Sequence, residues 1–320
     1  IDRIARSVPP EAGVRLGIGD DCAALCLPPG ELLLTTTDLL IEQVHFRRDW
    51  TDLRTLGRKS VAVNVSDIAA MGGAPRHLFL GLAVPPGMSV EDLDDFVAGF
   101  LEAARHYGAT LAGGDTCRSP GPLLISVTAE GAVPERELIR RSGARPGDAV
   151  YVSGTLGDSG LALRLLVAGD EPAPFLSRRH HDPEARTGLG RALARAAIPT
   201  AMIDVSDGLL ADLGHILDAS QVGAVIEAAA LPLSEPFRRA LALDPALLDL
   251  ALAGGEDYEL LFTVQPEREA GLAELAGSVG VPVTRLGKVT APQEGLIVLD
   301  RDGRPIEPRK TGYDHFGRGG

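Results

Sequence analysis

The residues best suited to chemistry in this sequence are aspartates, and they recur beside glycines at the ends of apolar runs. Asp20 and Asp21 follow Gly17-Ile18-Gly19, Asp38 closes Leu34-Thr35-Thr36-Thr37, Asp67 ends Asn64-Val65-Ser66-Asp67, and Asp115 follows Gly113-Gly114. Further along, Asp204 and Asp207 flank Ser206, and Glu256 and Asp257 follow Gly254-Gly255. Carboxylates and hydroxyls are hard oxygen ligands, the kind that Mg²⁺ shares with water and with substrate phosphates. Adjacent glycines let the backbone approach a ligand closely. Delivery of such groups by both halves of the chain points to a multi-metal site, although turn chemistry accounts for any single cluster equally well. The net charge of −13 bears on both sides of that reading. It excludes a sequence-independent nucleic-acid surface, and it means that polyphosphate ligands would have to be held through bound cations.

Other chemistry is thinner. Asp67 shares a helix face with Asn64 and Ser60 in an otherwise apolar segment, so it is either a ligand or a buried carboxylate with a hydrogen-bonding partner. The stretch Gly154-Thr155-Leu156-Gly157-Asp158-Ser159-Gly160 lies where backbone amides can hold phosphate, but it lacks the ending of a Walker A loop. A tight strand-to-helix turn explains it better. His45 follows Asp38 closely enough to reach the same site, or is structural. Arg140-Arg141 is a phosphate clamp or a solvated pair. His180-His181 reads as a solvated pair in a polar, exposed connection from Pro172 to Pro183. Three lysines leave little room for lysine-centred catalysis. Cys22, Cys26 and Cys117 have neither a disulfide framework nor zinc-ligand spacing, which suits a cytoplasmic protein. No apolar run approaches the ~20 residues of a membrane span.

The elements that must position these groups alternate between strand and helix. Leu32 to Thr37 reads as a strand running into Asp38. Residues 52–71 read as a helix stopped by Gly72-Gly73, and Ser89 as the N-cap of a helix ended by Gly108. A short strand, Thr110 to Ala112, delivers Gly113-Gly114-Asp115, and Leu123 to Ala129 is a further strand. Arg145-Pro146-Gly147-Asp148 marks a turn and the expected boundary between domains at residues 1–145 and 146–320. Beyond it come a strand Ala149 to Ser153, a helix after Gly160, a helix Glu184 to Ala197 and a strand Ala201 to Val205. A helix from Leu209 and strands Ala224 to Glu227 and Glu259 to Val264 follow.

Taken together these segments resemble the bacterial thiamine-monophosphate kinase family, within the wider superfamily of aminoimidazole ribonucleotide synthetase. The matching stretches are GIGDDCA (17–23), LTTTDLLIEQVHF (34–46), VNVSDIAAMGG (63–73), GGDT (113–116), VSGTLGDSG (152–160), IDVSDGL (203–209), AGGEDYELLFT (253–263) and GYDHF (312–316). The resemblance implies an α+β fold of two domains. The N-terminal domains of a homodimer would pair into a β-barrel, the C-terminal domain would be an α/β sandwich, and ATP with several Mg²⁺ would lie in a cleft between the domains. It assigns metal binding to Asp21, Thr36, Thr37, Asp38, Asp67, Asp115, Asp204 and Asp207. Gly114, Asp115, Arg141 and Ser206 fall to the nucleotide, and His45, Glu256 and Tyr313 to thiamine monophosphate. An aromatic face at Tyr313 would suit a cationic thiazolium. The implied reaction is direct γ-phosphoryl transfer from ATP to thiamine monophosphate by a cytoplasmic enzyme with no nucleic-acid or membrane partner. The alternatives are another ATP-using superfamily enzyme, such as the aminoimidazole ribonucleotide synthetase itself, and a non-catalytic nucleotide-binding protein.

Overall fold

Three consecutive threonines inside an apolar run favour extended backbone, because β-branched side chains pack well on a pleated surface. In the computed structural model, which describes residues 6, 14–16, 24–307 and 312, that stretch lies inside an eleven-residue strand. Asp21 and Tyr313 lie outside the described residues. The chain forms two compact units, residues 1–69 with 73–138 and residues 70–72 with 139–320.

The first unit contains a small hairpin of β1 (Val14–Leu16) and β2 (Ala24–Leu25). Its main sheet is built from β3 (Glu31–Ile41), β4 (Ala74–Val84), β5 (Thr110–Arg118) and β6 (Leu124–Pro134), in the order β3-β6-β4-β5. Only β4 and β5 are parallel. Helix α1 (Leu53–Ala70) starts where Asp52 accepts from the Thr55 amide at 2.7 Å and the Thr55 hydroxyl at 2.8 Å. Helix α2 (Val90–His106) starts at the Ser89–Asp92 capping box and buries Phe96, Val97, Phe100 and Leu101. Leu34 and Leu40 of β3 are buried on one face of the sheet, while Leu33 and Leu39 on the other are each 51% exposed.

The two helices cross at glycines. A Cβ on Gly57 would sit 2.1 Å from the Phe96 carbonyl oxygen, and one on Gly99 would sit 1.8 Å from that of Arg54. Gly99→Ala should therefore lower the Tm by about 5 °C or more, because the helix backbones must separate. Gly188→Ala, where the added Cβ meets nothing within 4 Å, is the matched control.

β5 runs six residues beyond the expected end at Ala112, so Gly113, Gly114 and Asp115 lie within a strand rather than in a loop after it. The reason is tertiary. The register with β4 skips Ala112, and Gly114, at φ 153°, passes so close to β4 that a Cβ would sit 2.0 Å from the Leu80 carbonyl oxygen.

The second unit has a seven-stranded sheet flanked by helices. In chain order its elements are β7 (Ala149–Ser153), α3 (Asp158–Ala168), α4 (Pro174–His181), α5 (Thr187–Arg195), β8 (Pro199–Asp204) and α6 (Leu209–Ser220). They continue with β9 (Gly223–Glu227), α7 (Glu235–Leu243), α8 (Leu248–Ala253), β10 (Leu260–Val264), α9 (Leu272–Val279), β11 (Val283–Thr290), β12 (Leu296–Leu299) and β13 (Pro305–Ile306). The strand order is β13-β12-β9-β11-β7-β10-β8, antiparallel except between β9 and β12. Val150, Val152, Ile203 and Leu261 of the sheet share a core with Leu161, Leu209, Leu213, Phe237 and Leu252 of the helices.

The polar run from Pro172 to Pro183, expected to be an exposed connection, contains α4, and Leu176, Arg179 and His180 are buried on it. His180 is thus not half of a solvated pair. The charge of Arg179 is compensated by carboxylates far away in sequence, which is why a polar segment can be buried here.

Candidate functional site

The acidic residues of the first unit meet where β3 faces α1. Residues two apart on a strand share a face, so Thr36 and Asp38 point the same way. The Thr36 hydroxyl donates to Asp67 Oδ2 at 2.5 Å, and the Asp38 amide donates to Asn64 Oδ1 at 3.1 Å. Asn64 is itself oriented by donating to the Ser60 carbonyl at 2.9 Å. Burial, reinforced by the charge of Asp67, pushes the Asp38 carboxyl up to about 6. Two carboxylates held this way repel each other unless a proton or a cation lies with them, and their hard oxygens fit Mg²⁺.

Thr37 belongs to the opposite face, where its hydroxyl donates to the Val127 carbonyl at 3.1 Å and accepts from Thr128 at 3.2 Å. Asp115 pairs through Gly81 and Ser126 with the row of Leu39, three strands from β3, or about 14 Å across the sheet. It is exposed, and its Oδ1 accepts from the Thr116 amide at 2.8 Å. Thr36, Asp38 and Asp67 are therefore brought together, while Thr37 and Asp115 are set apart from them. His45 turns back on the end of β3. Its Nδ1 accepts from the Ile41 amide at 3.1 Å, so the neutral ring carries its proton on Nε2 and presents a donor there.

In the second unit the loop after β8 and the loop before β10 lock together. The Glu256 amide donates to the Ser206 carbonyl and the Tyr258 amide to the Val205 carbonyl, both at 2.8 Å. Glu256 and Tyr258 adopt left-handed backbone, at φ 65° and 51°, an unusual cost for non-glycine residues that the pinned loop sustains. Asp204 is buried at the end of β8, and Asp207 is half-buried just beyond it. Arg141 is exposed, and its backbone carbonyl accepts from the Ser220 hydroxyl at 3.4 Å.

Sequence reasoning missed the group that shapes the first of these loops. Asp212 is buried in the first turn of α6, and its Oδ2 accepts from the amides of Ser206, Asp207 and Gly208 at 3.0, 3.1 and 3.0 Å. Its carboxyl is pushed up to about 7, mainly by burial, with the Asp207 charge adding and these hydrogen bonds opposing. Carboxylate oxygens of Asp207 and Asp212 and a ring nitrogen of His215 lie within 4.8 Å of one another. The signal available in sequence was an acidic residue four positions after Gly208, inside the first helical turn.

The Gly154–Gly160 segment is a turn whose helix end is occupied by the protein itself. Asp257 accepts from the Gly157 amide at 2.6 Å, which places a protein carboxylate at the N-terminus of α3. Also missed was the ion network behind it. Glu259, with no exposed surface, accepts from Arg186 Nε and Nη2 at 2.7 and 2.6 Å and lies 3.0 Å from Arg179 Nη2.

Comparison with known proteins assigns the fold. The family "AIR synthase related protein" matches through its N-terminal domain over residues 19–133 and its C-terminal domain over residues 145–300. The chain is 45% identical over 311 residues to the thiamine-monophosphate kinase of Escherichia coli strain K12, covering 95% of this chain and 92% of that one. The chain belongs to the thiamine-monophosphate kinase family. A crystal structure of the thiamine-monophosphate kinase from Stenotrophomonas maltophilia K279a superposes with a TM-score of 0.85 at 41% identity, covering 96% of each chain. The complex of AaThiL with AMPPCP and TMP superposes with a TM-score of 0.79 at 36% identity, covering 93% of this chain and 92% of that one. Within the thiamine-monophosphate kinase family fold, the Asp38–Asp67 pair and the Asp204–Asp207 loop are this chain's two clustered sets of oxygen donors.

Proposed function

We propose that this chain transfers the γ-phosphoryl group of ATP to the phosphate of thiamine monophosphate, releasing thiamine diphosphate and ADP. The supporting observation is its identity to thiamine-monophosphate kinases along nearly its whole length, with a like-folded relative that binds an ATP analogue together with TMP. Asp38, Asp67 and the Thr36 hydroxyl would hold Mg²⁺ from the first unit, and Asp204 and Asp207 from the second. Thr37 and Asp115 belong to the proposed metal set as well, and Asp21 joins it from outside the described residues. Gly114, Asp115, Arg141 and Ser206 are proposed for the nucleotide, and His45, Glu256 and Tyr313 for thiamine monophosphate.

When bound, magnesium would supply charge neutralisation between two polyanions and an in-line geometry for the transfer. The chain's own task is then mostly binding and orientation. The attacking phosphate oxygen is largely ionised at neutral pH and needs little help from a general base. The Nε2 proton of His45 suits an acceptor phosphate, and the Glu256 carboxylate suits the donor and cationic parts of thiamine. A homodimer is part of the proposal. It is supported by β3, an edge strand carrying exposed Leu33 and Leu39 on its uncovered face, where a second copy would bury them. Among the described residues no helix is long and apolar enough to cross a membrane, and we place the enzyme in the cytoplasm with its substrates.

The test is ADP release from ATP and Mg²⁺ with thiamine monophosphate, free thiamine or an aminoimidazole precursor as acceptor. Turnover with the monophosphate alone, abolished by EDTA, is expected. Turnover with the aminoimidazole precursor instead would reassign the enzyme within its superfamily.

A further inference from the structure

We propose that His180 is a positioning residue for the acceptor side of the site, acting by fixing the side chain of Glu256. The proposal rests on the reading that Glu256 touches thiamine monophosphate. His180 is 3% exposed on α4, and its Nδ1 lies 2.9 Å from Ser159 Oγ and 3.5 Å from Glu256 Oε2. A histidine kept only for packing needs one partner for that nitrogen, and Ser159 supplies it. The approach of Glu256 to the same atom is what a packing role leaves unexplained.

The surroundings show what the contact adds. The backbone around Glu256 is already pinned, by its own amide on Ser206 and by Arg179 Nη2 donating to the Asp257 carbonyl at 3.0 Å. What remains undetermined is the rotamer of a long, partly exposed carboxylate side chain, whose ordering on ligand binding costs conformational entropy. A buried donor beside one carboxylate oxygen selects a rotamer in advance and leaves the other oxygen for the acceptor. α4, the helix hidden in a polar stretch of sequence, would thus act as a support for substrate recognition.

The experiment compares His180→Leu, which keeps much of the volume but has no ring nitrogen, with His180→Asn, which returns a donor near the position of Nδ1. Glu256→Gln is assayed in parallel. His180→Leu should raise KM for thiamine monophosphate about tenfold, the value of one charge-assisted hydrogen bond, with KM for ATP within about twofold. His180→Asn should recover most of that loss. The double variant His180→Leu/Glu256→Gln should be no worse than Glu256→Gln alone, because the two residues act through one contact.

An unchanged acceptor KM in His180→Leu, with a raised one in Glu256→Gln, overturns the proposal and leaves the reading of Glu256 standing. An unchanged acceptor KM in Glu256→Gln overturns that reading, and the proposal with it. A rise in both substrates' KM that His180→Asn does not relieve marks His180 as structural and also overturns the proposal. Should His180→Leu fail to fold, the ¹⁵N resonance of His180 Nδ1 reads the contact without substituting the histidine. It should move between wild type and Glu256→Gln, and an unmoved resonance overturns the proposal.

Discussion

Asp38→Asn should lower turnover by about 10²–10³-fold and, in the absence of Mg²⁺, leave the protein at least as thermostable as wild type. The two expectations come from one geometry. Asp38 is half-buried beside Asp67, and its carboxyl is pushed up to about 6 by burial and by that neighbour. Folding therefore disfavours the ionised form. Between the ordinary value near 4 and the folded value near 6, the native state binds more protons than the unfolded chain, so this group's contribution to stability declines as pH rises through that window. An amide of the same shape removes the repulsion and the pH dependence together.

Magnesium reverses the sign. A cation binds the ionised carboxylates, so its affinity should fall as pH drops below about 6, and Mg²⁺ should raise the Tm of wild type but not of Asp38→Asn. Titration of Mg²⁺-dependent Tm shifts at pH 5 and pH 8 checks this. Equal shifts in wild type and variant would remove Asp38 from the metal set. A residue that costs stability alone and repays it on binding a ligand is a signature of function rather than of folding.

Glu259→Ala should destabilise the second unit by about 3–5 kcal/mol, enough to leave it largely unfolded at growth temperature if its stability is ordinary. The carboxylate is fully buried between Arg186 and Arg179 and also accepts from the Ser153 hydroxyl at 2.5 Å. Burial alone would raise its pKa. The hydrogen bonds from Arg186 and the charges of Arg179 and Arg186 outweigh that and hold it below the usual carboxylate range. The stabilisation is thus fully present above the ordinary glutamate value of about 4.3 and is lost as pH falls through the lower folded value.

Truncation removes the anion and leaves two guanidinium groups in the interior, one of which also carries the contact to Asp257. Urea unfolding of wild type and Glu259→Ala checks the magnitude. A loss below about 1 kcal/mol would show that water reaches the arginines once the carboxylate is gone. Glu259→Gln, which keeps the shape and some hydrogen bonds, should fall between the two and should flatten the acid limb of the stability profile.

Local sequence carried a good deal of this protein. The Thr35–Asp38 strand, the Ser89 cap, the Gly72-Gly73 stop and the strand at Ala149 to Ser153 follow from propensities and capping rules that act within a few residues. Glycine-flanked carboxylates, read together and in order, also carried the family, because each sits at an element end where side-chain chemistry and backbone geometry are both visible in sequence. What sequence could not supply is what depends on partners distant along the chain. Asp67 meets Thr36 across 31 positions, and Ser153 meets Glu259 across 106. α4 was legible only as a polar loop, because the groups that make its burial affordable, Glu259 and Asp257, lie some 80 residues later. The same holds at β5, where the close passage of β4 decides that Gly113, Gly114 and Asp115 stay in the strand. Composition and spacing determined which chemistry this chain can perform. Tertiary structure alone decided which carboxylates share a cation, which one stays buried between arginines, and which histidine stands beside Glu256, since burial and proximity set the cost of every charge involved.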